Sequence, residues 1–151
     1  MQVAKALKYT ECGPSISEAD IDHFQRRIGR PLPSDYREFL LQYNGGCPEP
    51  CTVDIPGHDE GCVDVRTLFG VLEKREVSGL SWNYAEYSKQ FGPDFLPIAR
   101  TDTNDIFFLN LGDDDPGIVQ FWDSMEENSA MAMYRLGDSF SDFLGKIYEG
   151  D

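Results

Sequence analysis

The chain contains the stretch Leu32-Pro33-Ser34-Asp35-Tyr36-Arg37-Glu38-Phe39-Leu40-Leu41-Gln42-Tyr43-Asn44-Gly45-Gly46, which reads as one complete helix. Ser34 is placed to cap the free amide groups of the first turn. The apolar face recurs at i, i+3, i+4 and i+7 and consists of Tyr36, Phe39, Leu40 and Tyr43. The terminal Asn44-Gly45-Gly46 tolerates the left-handed backbone with which helices often end. One face of this helix must therefore be buried.

A second helix is predicted directly before the first. Ser17 and Asp20 have the spacing of a capping box, and Ile16 and Ile21 have the spacing of a hydrophobic staple. Gly29 ends this helix, and Pro31 prevents it from restarting. The sequence therefore predicts two helices that meet at a short corner.

Strands are predicted in the middle of the chain. Alternation over residues 63–71 favours a strand, although its second half is also compatible with a turn of helix. Three further apolar runs are separated by polar turns and predict an antiparallel meander: Leu96 to Ala99, Ile106 to Leu111, and Ile118 to Trp122. The Ile106 run is apolar on both faces, which is typical of a central strand.

Two more helices complete the pattern. One begins near Ser81 and ends at Gly92-Pro93, and the last is capped by Ser139 together with Asp142. The predicted fold class is α+β: a central, mainly antiparallel sheet with an N-terminal helical pair, a middle helix and a C-terminal helix.

The motif Leu-Pro-x-Asp-Tyr-x-x-Phe-Leu at residues 32–40, preceded by a helix that ends in glycine and followed by Asn-Gly-Gly, resembles the start of the SUKH superfamily. That superfamily includes bacterial toxin-immunity proteins and fungal cell-wall-assembly regulators. Later apolar blocks follow in the family's order. The resemblance implies a single SUKH-like domain over residues 16–151, preceded by an N-terminal arm over residues 1–15, and a protein-binding function.

The composition is strongly acidic. The 151 residues suit one domain, and 27 acidic residues against 13 basic ones give a net charge of −14. Such a field repels nucleic acid and anionic membranes and attracts basic proteins, although acidity can also serve solubility alone. Because the sequence shows no signal peptide and no membrane span, we expect a cytoplasmic protein.

Cysteines and a histidine loop are the candidates for a metal site. Cys47, Cys51 and Cys62, with Cys12 and His58, offer enough ligands for zinc, but only one short Cys pair exists. We therefore interpret the cysteines as free thiols and expect no metal and no cofactor. His58-Asp59-Glu60 lies between two glycines and is expected to be a solvated loop. No catalytic or phosphate-binding motif is recognisable, so no catalytic residue is assigned.

Acidic turns are the candidate partner-binding residues. Aspartates flank two turns of the predicted meander: Asp102, Asp105, Asp113, Asp114 and Asp115. They form a negative patch if both turns lie at one end of the sheet. The alternative is ordinary turn chemistry, since aspartate is frequent in turns for backbone reasons.

Three functions remain open at this point. The first is an immunity protein that binds and neutralises a basic, nuclease-type bacterial toxin, in keeping with the family resemblance. The second is an adaptor or regulatory module for an endogenous protein partner. A third and weaker alternative is a metal-dependent enzyme that uses His58, Asp59 and the cysteines.

Overall fold

A computed structural model describes residues 7–126 and 133–150. The elements follow one another along the chain as β1 (Lys8–Thr10), α1 (Glu18–Ile28), α2 (Ser34–Gln42), β2 (Cys47–Glu49), β3 (Thr52–Asp54), β4 (Cys62–Asp64), β5 (Thr67–Leu68), α3 (Leu80–Phe91), β6 (Phe95–Arg100), β7 (Ile106–Asn110), β8 (Val119–Trp122), β9 (Met133–Gly137) and α4 (Phe140–Gly145). None of these helices is long and apolar enough to cross a membrane.

The centre of the fold is a five-stranded antiparallel meander in the order β5-β6-β7-β8-β9. The predicted meander of three strands is therefore confirmed. Every residue of β7 is buried, as the apolar Ile106 run predicted for a central strand. β9 was not predicted, because its sequence Met-Tyr-Arg-Leu-Gly carries only a short and irregular apolar pattern.

Helices cover both faces of this sheet. On one face the Phe107 ring lies 5.5 Å from that of Phe143 in α4. On the other face the Phe108 ring lies 4.8 Å from that of Phe91 in α3. Successive side chains of a strand point to opposite faces, so β7 links the two layers of the core. The fold is α+β, as predicted.

The helical pair begins and ends as the sequence indicates, with one exception. The capping box is present, since Ser17 N donates to Asp20 Oδ2 at 2.8 Å, and Gly29 has a left-handed φ of 74°. The predicted Ser34 cap is wrong: α2 is capped by Pro33, which makes no side-chain hydrogen bond. Pro33 fixes the extended backbone that precedes the helix, so Ser34 falls inside it.

The strand predicted over residues 63–71 is divided between two sheets. β4 pairs with β3, whereas β5 pairs with β6, so the chain changes partner after Asp64. β1, which lies within the segment predicted as an arm, pairs with β2 in a third sheet. The two small sheets stand beside the end of the meander where β6 turns into β7.

Candidate functional site

An acidic cleft lies at the end of the meander where β6 turns into β7. It consists of two adjoining hollows of about 270 and 190 Å³ that share Asp64 and Asp102. Carboxylates from both small sheets and from the turns after β6 and β8 line it: Glu11, Glu49, Glu60, Asp64, Asp102, Asp105 and Asp123. We call this set the acidic cleft.

The acidic cleft has a strong excess of negative charge. Among the described residues that line it, Arg66 is the one lysine or arginine. Its Nε already lies 3.4 Å from Asp102 Oδ1, and both side chains are largely exposed. Like charges gathered around a concave surface reinforce one another's potential. The cleft therefore favours a cationic occupant.

His58 holds one wall of the cleft in place. Its Nε2 lies 2.7 Å from Asp123 Oδ2, and its side chain is only 7% exposed. The imidazole also packs edge-on against Phe121 and Tyr134, with ring centroids 5.8 and 5.3 Å away. The expectation of a solvated loop is therefore wrong for His58: this side chain anchors the β3–β4 loop to the main sheet.

The hydrogen bonds of His58 fix its tautomer. The amide of Glu60 donates to Nδ1 at 3.1 Å, so the ring proton lies on Nε2 and is donated to Asp123. Burial disfavours the charged form of Asp123. The hydrogen bonds from His58 and from the amide of Met125 outweigh burial and hold the pKa of Asp123 below its usual value.

His58, Asp123 and Glu126 are the one described group with the ligand spacing of a metal site, their ligand atoms lying within 4.8 Å of one another. Each ligand atom already makes a hydrogen bond, however. Nε2 carries a proton where a metal needs a lone pair, and both oxygens of Glu126 accept from the Tyr134 hydroxyl at 2.7 Å. This hydrogen-bond network holds the loop and strand together and is poorly suited to a metal ion.

Two thiols line the smaller hollow. Cys47 Sγ donates to Glu11 Oε2 at 3.2 Å. Burial, followed by the hydrogen bond to the Glu11 carboxylate, raises the pKa of Cys47, and burial also raises that of Cys51. Thiols bind metals and attack electrophiles as thiolates, so these two groups are held in their less reactive form.

The predicted acidic patch is not formed as one surface. The turn containing Asp102 and Asp105 precedes β7, whereas the turn containing residues 113–115 follows it, so the two lie at opposite ends of the sheet. Consecutive turns of a meander must lie at opposite ends, because each strand reverses the direction of the last. Asp102 lines the acidic cleft, and Asp115 lies 3.9 Å from Arg135.

Asp105 has a structural place in the fold. It is only 7% exposed. One carboxylate oxygen accepts from the amide and the hydroxyl of Ser124 at 2.8 and 2.7 Å, and the other accepts from the Thr103 hydroxyl at 2.8 Å. Its carboxylate therefore joins the β6–β7 turn to the segment after β8, on the floor of the cleft.

Most residues of the acidic cleft could not be identified from the sequence. Glu60 and Asp64 come from the β3–β4 loop and β4, whereas Asp123 follows β8, so the two segments are far apart in the chain and meet only through the folded sheets. Two local signals existed: the turn composition that indicated Asp102 and Asp105, and the glycines at 57 and 61, which predicted the loop but not the inward direction of His58.

The family comparison covers most of the chain. The sequence profile of the SMI1/KNR4 family (SUKH-1) matches residues 15–146. A curated relative from Bacillus subtilis (strain 168), the SPbeta prophage-derived uncharacterized protein YokK, is 24% identical over 153 aligned positions. That alignment covers 90% of this chain and 77% of the relative.

Proposed function

Because the chain belongs to the SMI1/KNR4 family (SUKH-1), we propose that it is an immunity-type protein that binds a basic bacterial toxin domain and thereby neutralises it. The observation that carries this proposal is the acidic cleft. Among the described residues that line it, seven are carboxylates and one is an arginine. A lysine or arginine side chain of the toxin is the complementary group.

The rim of the cleft also offers an apolar contact. Met125 lines the larger hollow and is 83% exposed, so its side chain is accessible to a partner. Its unbranched thioether adapts to irregular surfaces. A basic residue in the cleft and an apolar residue against Met125 would together form the centre of an interface.

Neutralisation in this proposal requires only binding. The net charge of −14 draws a basic toxin toward the protein, and the cleft orients it. The fixed walls favour tight binding, because His58 and Asp105 already hold the loop and the turn before a partner arrives. The protein acts stoichiometrically and in the cytoplasm, without catalysis and without a cofactor.

The test uses any toxin gene that is found next to the gene of this chain. Co-expression should rescue cells from that toxin, and the purified pair should form a stable complex. The variant Glu60→Gln with Asp102→Asn removes two exposed cleft charges. It should lower the association rate constant about 3- to 10-fold at 50 mM salt and have a smaller effect at 300 mM, because salt screens exposed charges.

A matched control removes two exposed charges elsewhere, through Glu38→Gln with Glu76→Gln. This control should bind as the parent does within about a factor of two. An equal loss of association rate constant in the two double variants would show that only the total charge matters. That result would reject the cleft as the binding site. Failure of every neighbouring toxin to be neutralised or bound would reject the immunity proposal and favour the adaptor function.

A further inference from the structure

A second groove lies at the opposite end of the sheet and is more apolar than the acidic cleft. One wall is the corner between α1 and α2, residues 29–33, and the other is the β7–β8 turn, residues 110–113 and 116–117. Its volume is about 520 Å³, within the range of ligand-binding pockets. We call it the corner groove.

Both walls of the corner groove are fixed by internal hydrogen bonds. The amide of Leu32 donates to the side chain of Gln25 at 2.8 Å, which holds the corner. Asn110 holds the turn, since its side chain donates to the Asp114 carbonyl at 2.9 Å and accepts from the Gly112 amide at 2.8 Å. The groove is therefore preformed, which lowers the entropic cost of filling it.

The mouth of the groove is negatively charged. An adjoining hollow of about 330 Å³ is lined by Asp94, Asp113, Asp114 and Arg30. Arg30 is already paired with Asp94. Asp113 and Asp114 form no ion pair with any residue in the described part of the chain, so an occupant with a cation beside an apolar group matches the surface.

We propose that the corner groove binds an extended segment of the protein partner in which an apolar side chain stands next to a lysine or arginine. The apolar side chain lies between Pro31 and Pro116, and the cation faces Asp113 and Asp114. A second copy of this chain is a poor occupant, because two molecules of charge −14 repel each other. This inference rests on the proposed function in one respect: the segment is taken to belong to the toxin that the protein is proposed to bind.

The probe is the hexapeptide acetyl-Gly-Gly-Leu-Lys-Gly-Gly-amide, together with its Lys-Leu reversal, titrated into the ¹⁵N-labelled chain and followed by NMR. We expect amide shifts at Leu32, Gly112 and Gly117 with either order. Replacing lysine by norleucine should weaken binding about 2- to 5-fold, since exposed ion pairs are individually weak. Replacing leucine by alanine should weaken it about tenfold.

The variant Asp113→Asn with Asp114→Asn should weaken the lysine peptide by the same 2- to 5-fold and leave the norleucine peptide unchanged. The control Glu38→Gln with Glu76→Gln should change neither peptide. Absence of shifts up to 5 mM peptide, shifts confined to the acidic cleft, or equal affinity for the lysine and norleucine peptides would overturn the inference. Toxin rescue uses no peptide, so its success alongside a failed titration would remove the corner groove and retain the immunity function.

Discussion

Replacing Asp105 by alanine should destabilise the protein, because the half-buried Ser124 amide and the Thr103 hydroxyl lose the buried acceptor that lies 2.8 Å from each. Each hydrogen bond to a charged group contributes about 1.5–3 kcal/mol, and water can reach the half-buried donors and offset part of the loss. The contributions of the individual hydrogen bonds overlap in part, so we expect the free energy of unfolding to fall by about 3 kcal/mol. For a domain of this size that corresponds to a melting temperature lower by about 6–12 °C.

The measurement is urea unfolding of the parent and the variant. The slope of the free energy of unfolding against urea concentration should be the same for both proteins. Asp105→Asn keeps one carbonyl oxygen and should cost only about 1 kcal/mol, since the Thr103 hydroxyl can turn to accept from the new amide. Asp102→Asn, which changes an exposed neighbour, should stay within about 0.5 kcal/mol of the parent. A free energy of unfolding for Asp105→Ala that equals the parent's would refute the structural role of Asp105.

Three further outcomes are expected. Phe39→Ala should lower the free energy of unfolding by about 3–5 kcal/mol, because the ring is a core group of α2; a melt that matches the parent would show that the ring is not buried. The hydrogen bond from the Asp138 amide lowers the pKa of Asp142 below its usual value, and Lys146 lowers it further. This carboxylate therefore stabilises the fold above the unfolded pKa of about 3.9, and its contribution is lost as pH falls through the folded pKa. Asp142→Asn should therefore lose less stability than the parent on acidification, and parallel curves in acid titrations of stability would contradict this. Elemental analysis should find no stoichiometric zinc in the purified protein, because His58 Nε2 is protonated; a molar equivalent would require a different tautomer.

The elements that were predicted correctly depend on interactions between near neighbours in the chain. The capping box of Ser17 and Asp20 spans one helical turn, and Gly29 ends its helix through its own backbone angle. The meander is likewise a local pattern, because each of its strands pairs with the next one. Asn44 has the left-handed φ expected at a helix exit, with a value of 50°.

Apart from Asp102 and Asp105, the residues of the candidate site could not be predicted, because the site depends on distant partners. His58 and Asp123 are 65 positions apart, and nothing near either residue indicates the other. Asn44 shows the same limit, since its side chain accepts from the Val71 amide at 2.8 Å, 27 positions away. A single acidic patch required both turns to lie at one end of the sheet, and this condition is not met, because β7 runs between the two turns and places them at opposite ends.

The contact between α2 and α4 has a consequence for the order of folding. The amide of Ser141 donates to Asp35 at 2.9 Å across 106 positions, and the Tyr36 and Phe140 rings lie 4.7 Å apart. Short turns join β6, β7 and β8, whereas this contact closes a very long loop, which is entropically costly and slow. We therefore expect the sheet to form first and the helical pair to dock late. A nascent chain would then expose the apolar face of α2 until the segment around Phe140 has been synthesised.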